Sequence, residues 1–264
     1  MSKKKEAEDS LITKAAKIVV DSKKLVVFTG AGASTESGIQ DFRSPGGLWT
    51  KYDPMKVASI DAFRSDPKSW WNWIIELGPK VLDAQPNRAH IAIAELEKMG
   101  KVDSVITQNI DGLHQKAGNS YVLELHGSTA TASCTRCRSS YPRDQVIELI
   151  KNGENPPLCD VDGGILKLDV VLFGEPLPPI IFQEATQKAM ACDAMLVAGS
   201  SLVVYPAALI PKLAKEQGAK LIIVNDEETE MDNECDVVIR GKVGDILPKI
   251  VDVCKKQLFT RTRK

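Results

Sequence analysis

The chain has 264 residues, and its 34 Lys and Arg against 35 Asp and Glu leave a net charge of −1 at pH 7. That length accommodates one large domain with an insertion, and so even a charge balance gives no bulk attraction to nucleic acid or to a membrane surface. The opening "MSKKKEAEDS" lacks the apolar stretch of a signal peptide, and no run approaches the ~18 apolar residues of a membrane span, so a cytoplasmic location and a small or peptidic partner are expected.

Apolar spacing predicts a helix over 11–21, followed by a buried strand in "KLVVFTG" (24–30). Gly30 and Gly32 stand directly after that strand. Such glycines either let the backbone approach a pyrophosphate, with a following helix N-terminus to stabilise its charge, or make an ordinary tight turn. Thr35 occupies the place of the third glycine of a full GxGxxG. "SGIQDFRSPGGLW" is too rich in Gly and Pro for regular structure. It reads either as a ligand-covering loop, with Phe42 over a ring and Arg43 on a phosphate, or as a loop pinned by Phe42 burial and an Asp41 to Arg43 contact.

Helices are predicted over 66–82 and 87–99, then a strand in "KVDSVITQN" (101–109). Gln108, Asn109 and Asp111 at its end suit either recognition of an amide or ribose hydroxyls, or capping of the next helix. His90 and His114 are read as structural. His126, in "LELHGS" at the end of an apolar segment, is the candidate for a base working near neutral pH.

From about 127 to 168 the rhythm breaks. "CTRC" supplies Cys134 and Cys137, 21 residues intervene, and Cys159 opens a second pair whose last member is Asp162 instead of cysteine. This resembles a zinc ribbon, and because Asp oxygen is an accepted zinc ligand, a closed tetrahedral site and a lapsed one are both open. Without an export signal, reduced thiols are expected. Cys192, Cys235 and Cys254 lie in apolar patterns and are read as core packing.

Further on, helices are predicted over 179–191, 206–217 and 243–256, strands over 193–201, 219–225 and 235–241, and the basic end "KKQLFTRTRK" as a solvated tail. Strands alternating with helices make this an α/β chain: a doubly wound parallel sheet with a small inserted module, binding its ligand beyond the carboxyl ends of the strands.

Taken in order, "TGAGASTESGIQDFRS", "TQNIDGLHQKAG", "LELHGS", the cysteine module, "VVLFGEPLP", "AGSSLVVYPA" and "IIVN" resemble the sirtuins, the NAD-dependent protein deacylases, from about residue 13 to 256. The resemblance implies a Rossmann-like part (about 11–38, 84–126 and 170–256) and a small zinc-ribbon-type domain (about 39–83 and 127–169) flanking a cleft, in a monomer. By the same resemblance, Gly30, Ala31, Gly32 and Thr35 face NAD, while Phe42 and Arg43 belong to a mobile cofactor loop. Gln108 touches the nicotinamide ribose, and Asn109, Ile110 and Asp111 form the nicotinamide pocket. Gly199, Ser200 and Ser201 serve the phosphates, Asn225 the adenosine ribose, and Val243 the adenine end. Val170, Val171 and Phe173 meet an acyl-lysine peptide by strand addition. Structural zinc (Zn) is assigned to Cys134, Cys137, Cys159 and Asp162.

In the implied reaction the acyl oxygen displaces nicotinamide from the ribose, and His126 takes a proton from the ribose diol. The products are nicotinamide, O-acyl-ADP-ribose and free lysine. A mono-ADP-ribosyltransferase working in the same cleft is the alternative enzyme, and a non-catalytic NAD sensor the alternative outside catalysis. Three departures from the family pattern stand out. Gln40 replaces the usual proline, which is expected to loosen the start of the cofactor loop. Ala33 is smaller than the common aliphatic residue. Ile74 and Leu77 stand where desuccinylase-type relatives carry Tyr and Arg, so neutral acyl groups are expected, acetyl first.

Overall fold

The computed structural model describes residues 3–42, 44 and 46–261. The first half of the chain contains α1 (Lys3–Asp21), β1 (Leu25–Thr29), α2 (Pro54–Val57), α3 (Ile60–Ser65), α4 (Pro67–Leu82), α5 (Arg88–Lys98), β2 (Val102–Thr107), α6 (Leu113–Ala117) and β3 (Val122–Glu124). The second contains β4 (Gly127–Cys134), β5 (Ser140–Pro142), α7 (Arg143–Lys151), β6 (Leu166–Val170), α8 (Pro179–Ala191), β7 (Ala194–Ala198), α9 (Leu209–Glu216), β8 (Lys220–Asn225), β9 (Val237–Arg240) and α10 (Val243–Arg261).

Among these residues a parallel six-stranded sheet runs in the order β3-β2-β1-β7-β8-β9. Every residue of β1 and β7 is buried, the burial expected of aliphatic strands covered on both faces. Side chains alternate between the two layers: Leu25 and Val27 pack under α1, α5 and α10, whereas Val26 and Phe28 pack under α8 and α9. The chain lays β2 and β3 on one side of β1 and returns to place β7, β8 and β9 on the other. The boundary between β1 and β7 is therefore the topological switch point, where open α/β sheets leave a crevice.

A second, antiparallel sheet, β5-β4-β6, carries its own core of Phe63, Trp70, Trp71, Tyr141, Leu166 and Leu168, supplied partly by α3 and α4. Trp71 Nε1 donates to Leu166 O at 2.9 Å, which locks α4 to β6. The predicted helix over 66–82 corresponds to α4, whose start is set by Asp66 accepting from Ser69 N (3.0 Å) and by Pro67 in the first turn. No element was predicted inside the cysteine module, yet β4, β5, β6 and α7 all form there. β4 reads "GSTATASC", small and polar, and only its two antiparallel partners make it a strand.

One expectation is refined. Over its described residues the basic end is helical, α10 continuing to Arg261, while most of its side chains remain exposed to solvent. Leu247, Ile250, Val251, Cys254 and Leu258 keep the three-and-four spacing of a buried stripe against the main core, and Lys255 pairs with Glu95 at 2.9 Å. No helix among the described residues is long and apolar enough to cross a membrane.

Candidate active site

At the switch point two strand-end loops meet backbone to backbone. Gly30 N donates to Ala198 O (3.2 Å) and Gly32 N to Gly199 O (2.8 Å). A Cβ on Gly30 would lie 2.8 Å from Gly199 O, and one on Gly32 would lie 2.9 Å from Gly199 Cα. Only glycine permits that approach. Beyond Gly32 the chain forms two short 3-10 turns, Ala31–Ala33 and Thr35–Ser37, closed by Gly38 at φ 85. This corrects the expected helix N-terminus: "TESG" carries no apolar stripe to continue a helix, so an anion here meets turn N–H groups without a helix dipole.

The other strand ends complete the crevice. Gln108 Nε2 donates to Ser200 Oγ at 2.9 Å across it, and Ser200 Oγ also accepts from Leu202 N (3.3 Å). Ser201 is half-buried beside Ser200, and Asn225, at the end of β8, donates to Glu227 O (2.8 Å). Thr35 is exposed, its hydroxyl donating to Gly32 O (3.1 Å). Val243 is buried in the main core at the start of α10.

His126 follows β3 by two residues. Its Nδ1 lies 2.9 Å from the Gln108 carbonyl oxygen. A carbonyl only accepts, so Nδ1 carries the hydrogen and Nε2 is the basic nitrogen. Burial depresses the His126 pKa below its ordinary value, and the Gln108 carbonyl partly opposes that.

Behind His126 sits a buried polar network. Asn109 Nδ2 donates to Gly30 O (3.1 Å) and Ser34 Oγ (3.0 Å), and Ser34 Oγ donates to Asp111 Oδ2 (2.7 Å). Asp111 Oδ1 accepts from Leu113 N at 2.9 Å. Asp111 thus ties the start of α6 with one oxygen, which meets the capping reading, and serves the network with the other. The Ile110 carbonyl accepts from Thr129 N (3.1 Å) and Thr129 Oγ1 (3.0 Å), which ties the loop to β4.

His90 and His114 are buried, as expected of structural histidines, with ring centroids 4.9 Å apart. His90 nevertheless reaches the site, since its Nε2 lies 3.5 Å from Ser34 Oγ. Ser34 and Thr129 went unnoticed in the sequence because a single Ser or Thr after a turn carries no signal of burial.

The loop that carries Phe42 is internally tied. Trp49 N donates to Phe42 O (3.0 Å), Leu48 N to Asp41 O (2.9 Å), and Asp41 accepts from Ser44 N at 2.9 Å. Phe42 stacks on Trp49 at 5.0 Å, and Trp49 lies 6.1 Å from Phe173. Gln40 Nε2 donates to Gly46 O (3.3 Å), a side-chain tie that offsets part of the looseness expected from the absent proline. Arg43, and with it the Asp41 to Arg43 contact, lies outside the described residues.

The segment proposed to meet a peptide is anchored as well. Val170 pairs with Gly127, Val171 N donates to His126 O (2.8 Å), Phe173 N donates to Ala58 O (2.9 Å), and Ile60 N donates to Phe173 O (2.9 Å). Strand addition at the Val171 N–H and at Phe173 is thus already used within the chain. Phe173 remains exposed to present its ring. Ile74 and Leu77 are half-buried on α4, Ile74 against the core of the small sheet.

Cys134, Cys137, Cys159 and Asp162 converge, with their donor atoms all within 4.8 Å of one another. Cys137 and Cys159 sulfurs are 3.6 Å apart, and Cys134 Sγ is 3.3 Å from Asp162 Oδ1. A zinc tetrahedron with Zn–S of ~2.3 Å and Zn–O of ~2.1 Å has edges of roughly 3.5–3.8 Å, so the donors fit. Gly164 N holds Asp162 Oδ1 at 2.9 Å, the leading cause that keeps this carboxyl below its ordinary pKa. A Cβ on Gly164 would lie 2.6 Å from Cys134 Sγ, so glycine is needed there. Cys134 ends the strand that begins beside His126; it pairs with Leu166 while Gly127 pairs with Val170, four residues along β6, a separation of roughly 13 Å. The metal donors are therefore remote from the base. Cys192 and Cys254 are buried and Cys235 half-buried; burial pushes their thiols up to about 12, 12 and 11, which makes them inert.

A glycine-lined switch-point crevice flanked by a histidine and a buried Asn–Ser–Asp network is the cleft of a Rossmann-like nucleotide-binding fold. The family model described as "Sir2 family" matches residues 30–206, and the chain belongs to the Sir2 family. An Archaeoglobus fulgidus protein named NAD-dependent protein deacylase 2 is 53% identical over 245 residues, 93% of this chain and 96% of its own. A Saccharolobus solfataricus protein named NAD-dependent protein deacetylase is 48% identical, covering 94% and 98%. Among solved structures, one described under the mechanism and regulation of Sir2 enzymes superimposes with a TM-score of 0.89 at 52% identity, covering 94% of this chain and 99% of its own. Sir2Af2 bound to a myristoylated histone peptide gives 0.81 at 48% identity, covering 97% and 99%. A Sir2 complex with a p53 peptide and NAD gives 0.85 at 38%, covering 90% and 96%.

Proposed function

We propose that this protein is an NAD-dependent protein-lysine deacylase that releases nicotinamide, O-acyl-ADP-ribose and free lysine, with neutral acyl groups as its substrates. NAD enters as a co-substrate whose ribose carbon accepts the acyl oxygen. The observation that carries the reading is the fixed tautomer of His126, whose Nε2 is left as a base at the mouth of the crevice. Gly30, Gly32, Gly199 and Ser200 bring N–H and hydroxyl groups to the phosphates, and Gln108 orients the nicotinamide ribose. Asn109 and Asp111, held by Ser34, present the amide-recognising end of the pocket, and Phe42 covers it. The zinc ligands hold the small domain and take no part in the reaction.

Ile74 and Leu77 leave an acyl carboxylate without a partner, which supports acetyl and longer neutral chains. The myristoylated peptide held by Sir2Af2 is in keeping with an apolar acyl site. The test is mass spectrometry of products from NAD and a panel of acyl-lysine peptides. The expected result is O-acyl-ADP-ribose from acetyl and fatty-acyl peptides with little turnover of a succinyl peptide. Faster succinyl turnover sinks the acyl assignment, and label from NAD retained on protein without acyl loss points to ADP-ribosyl transfer instead.

A further inference from the structure

Lys167 is the least exposed cation of any ion pair among the described residues: its side chain is 13% exposed, and that of its partner Glu175 24%. The proposed reaction needs no charge at this position, and an enclosed pair is weak evidence for stability, since apolar side chains of the same volume often do as well. The geometry indicates a different use. The Lys167 ammonium donates to Val170 O (2.8 Å) and Leu168 O (3.3 Å) and forms an ion pair with Glu175 Oε2 at 3.0 Å. The same Glu175 oxygen accepts from Leu172 N (2.9 Å), and Glu175 N returns to Leu172 O (2.9 Å), closing a turn through Gly174 at φ 88. Every end of the 170–175 segment is therefore gripped. Lys167 holds Val170, the His126 carbonyl holds Val171, Ala58 at the end of α2 and Ile60 at the start of α3 hold Phe173, and Glu175 holds Leu172.

We propose that Lys167 and Glu175 form a clasp that positions the acyl-lysine peptide site relative to His126, a role that rests on the deacylase reading above. Without the clasp the turn loses its tie to β6 while Val171 stays on His126 O. Phe173 and the peptide-facing edge then sample several placements, and the base keeps its own. The effect falls on peptide binding and spares the chemical step.

The test compares Lys167→Met, Lys167→Arg and Glu175→Gln by steady-state kinetics, with calorimetric Kd values for an acetyl-lysine peptide and for NAD. Lys167→Met is expected to raise the peptide KM and Kd about tenfold, with kcat within about twofold and NAD affinity unchanged. Lys167→Arg is expected to restore peptide affinity, since a guanidinium offers donors to the same carbonyls and carboxylate; Glu175→Gln, which keeps the acceptor but not the charge, falls between. Unchanged peptide Kd in Lys167→Met, or equal loss of peptide and NAD affinity, overturns the clasp. Should Lys167→Met fail to fold, Glu175→Gln and Lys167→Arg decide it: parental peptide affinity in Glu175→Gln overturns the proposal. Peptide Kd is read without turnover, so a parent that binds peptide but forms no product would refute the deacylase reading and leave the clasp to be judged on binding.

Discussion

His126 combines two opposed influences on one ring. Burial favours the neutral imidazole and lowers its pKa, while the Gln108 carbonyl on Nδ1 stabilises the protonated form in part. The base is active when neutral, so activity is lost as pH falls through the folded pKa, which lies below the ordinary 6.5. The acid limb of kcat/KM is accordingly expected to have an apparent pKa under 6.5, read from a pH–rate profile. His126→Ala is expected to lower kcat by about 10²–10⁴. An acid limb centred well above neutrality, or parental turnover in His126→Ala, would remove this residue from the role. His126 was found from the sequence because histidine is scarce and this one ends an apolar segment. Ser34, which joins Asn109 to Asp111, could not be found that way, since its importance lies in burial alone.

At the scale of the element, the cysteine module is a three-stranded sheet with a metal-donor cluster at its far end. The sequence displayed all four donor positions by spacing, Asp162 in the place of a cysteine, and the fold brings Asp162 to 3.3 Å from Cys134 Sγ. A carboxylate is a harder ligand than thiolate, so the site should bind zinc but release it more readily than four cysteines would. Purified protein is expected to carry one zinc. Asp162→Ala should lose it to a chelator roughly tenfold faster and melt lower, while Asp162→Cys should retain it longer. These rates follow from metal analysis and thermal melting. Metal-free parent protein, or indifference to both substitutions, would mean that packing alone holds the module. Neither substitution should alter the pH profile set by His126.

Across the whole molecule, His90 from α5 and His114 from α6 meet against Thr29 of β1, with His114 Nε2 2.9 Å from Thr29 Oγ1. Burial, with His90 adding to it, lowers the His114 pKa to about 3, and burial lowers His90 against the pull of Asp111. The unfolded chain takes up these protons first, so stability holds above about pH 6.5 and falls below it, by about 1.4 kcal/mol per pH unit for one such group. Between pH 6.5 and 5.0 the loss attributable to His114 is about 2 kcal/mol. Urea midpoints at the two pH values should therefore fall less in His114→Gln than in the parent. Parallel profiles would show that the pair does not govern acid stability.

The alternation of strand and helix, the glycine turn after β1, the candidate base and the cysteine spacing were determined by the sequence itself, because each depends on local periodicity or on the chemistry of a rare residue. The continuation of α10 to Arg261, the strands of the cysteine module and the double duty of Asp111 were decided only by tertiary structure. So were the Ser34 network and the Lys167–Glu175 clasp. Each of those joins residues far apart in the chain through contacts whose partners have no periodic relation to one another. Small polar stretches such as β4 become strands only when a neighbouring strand takes up their backbone groups.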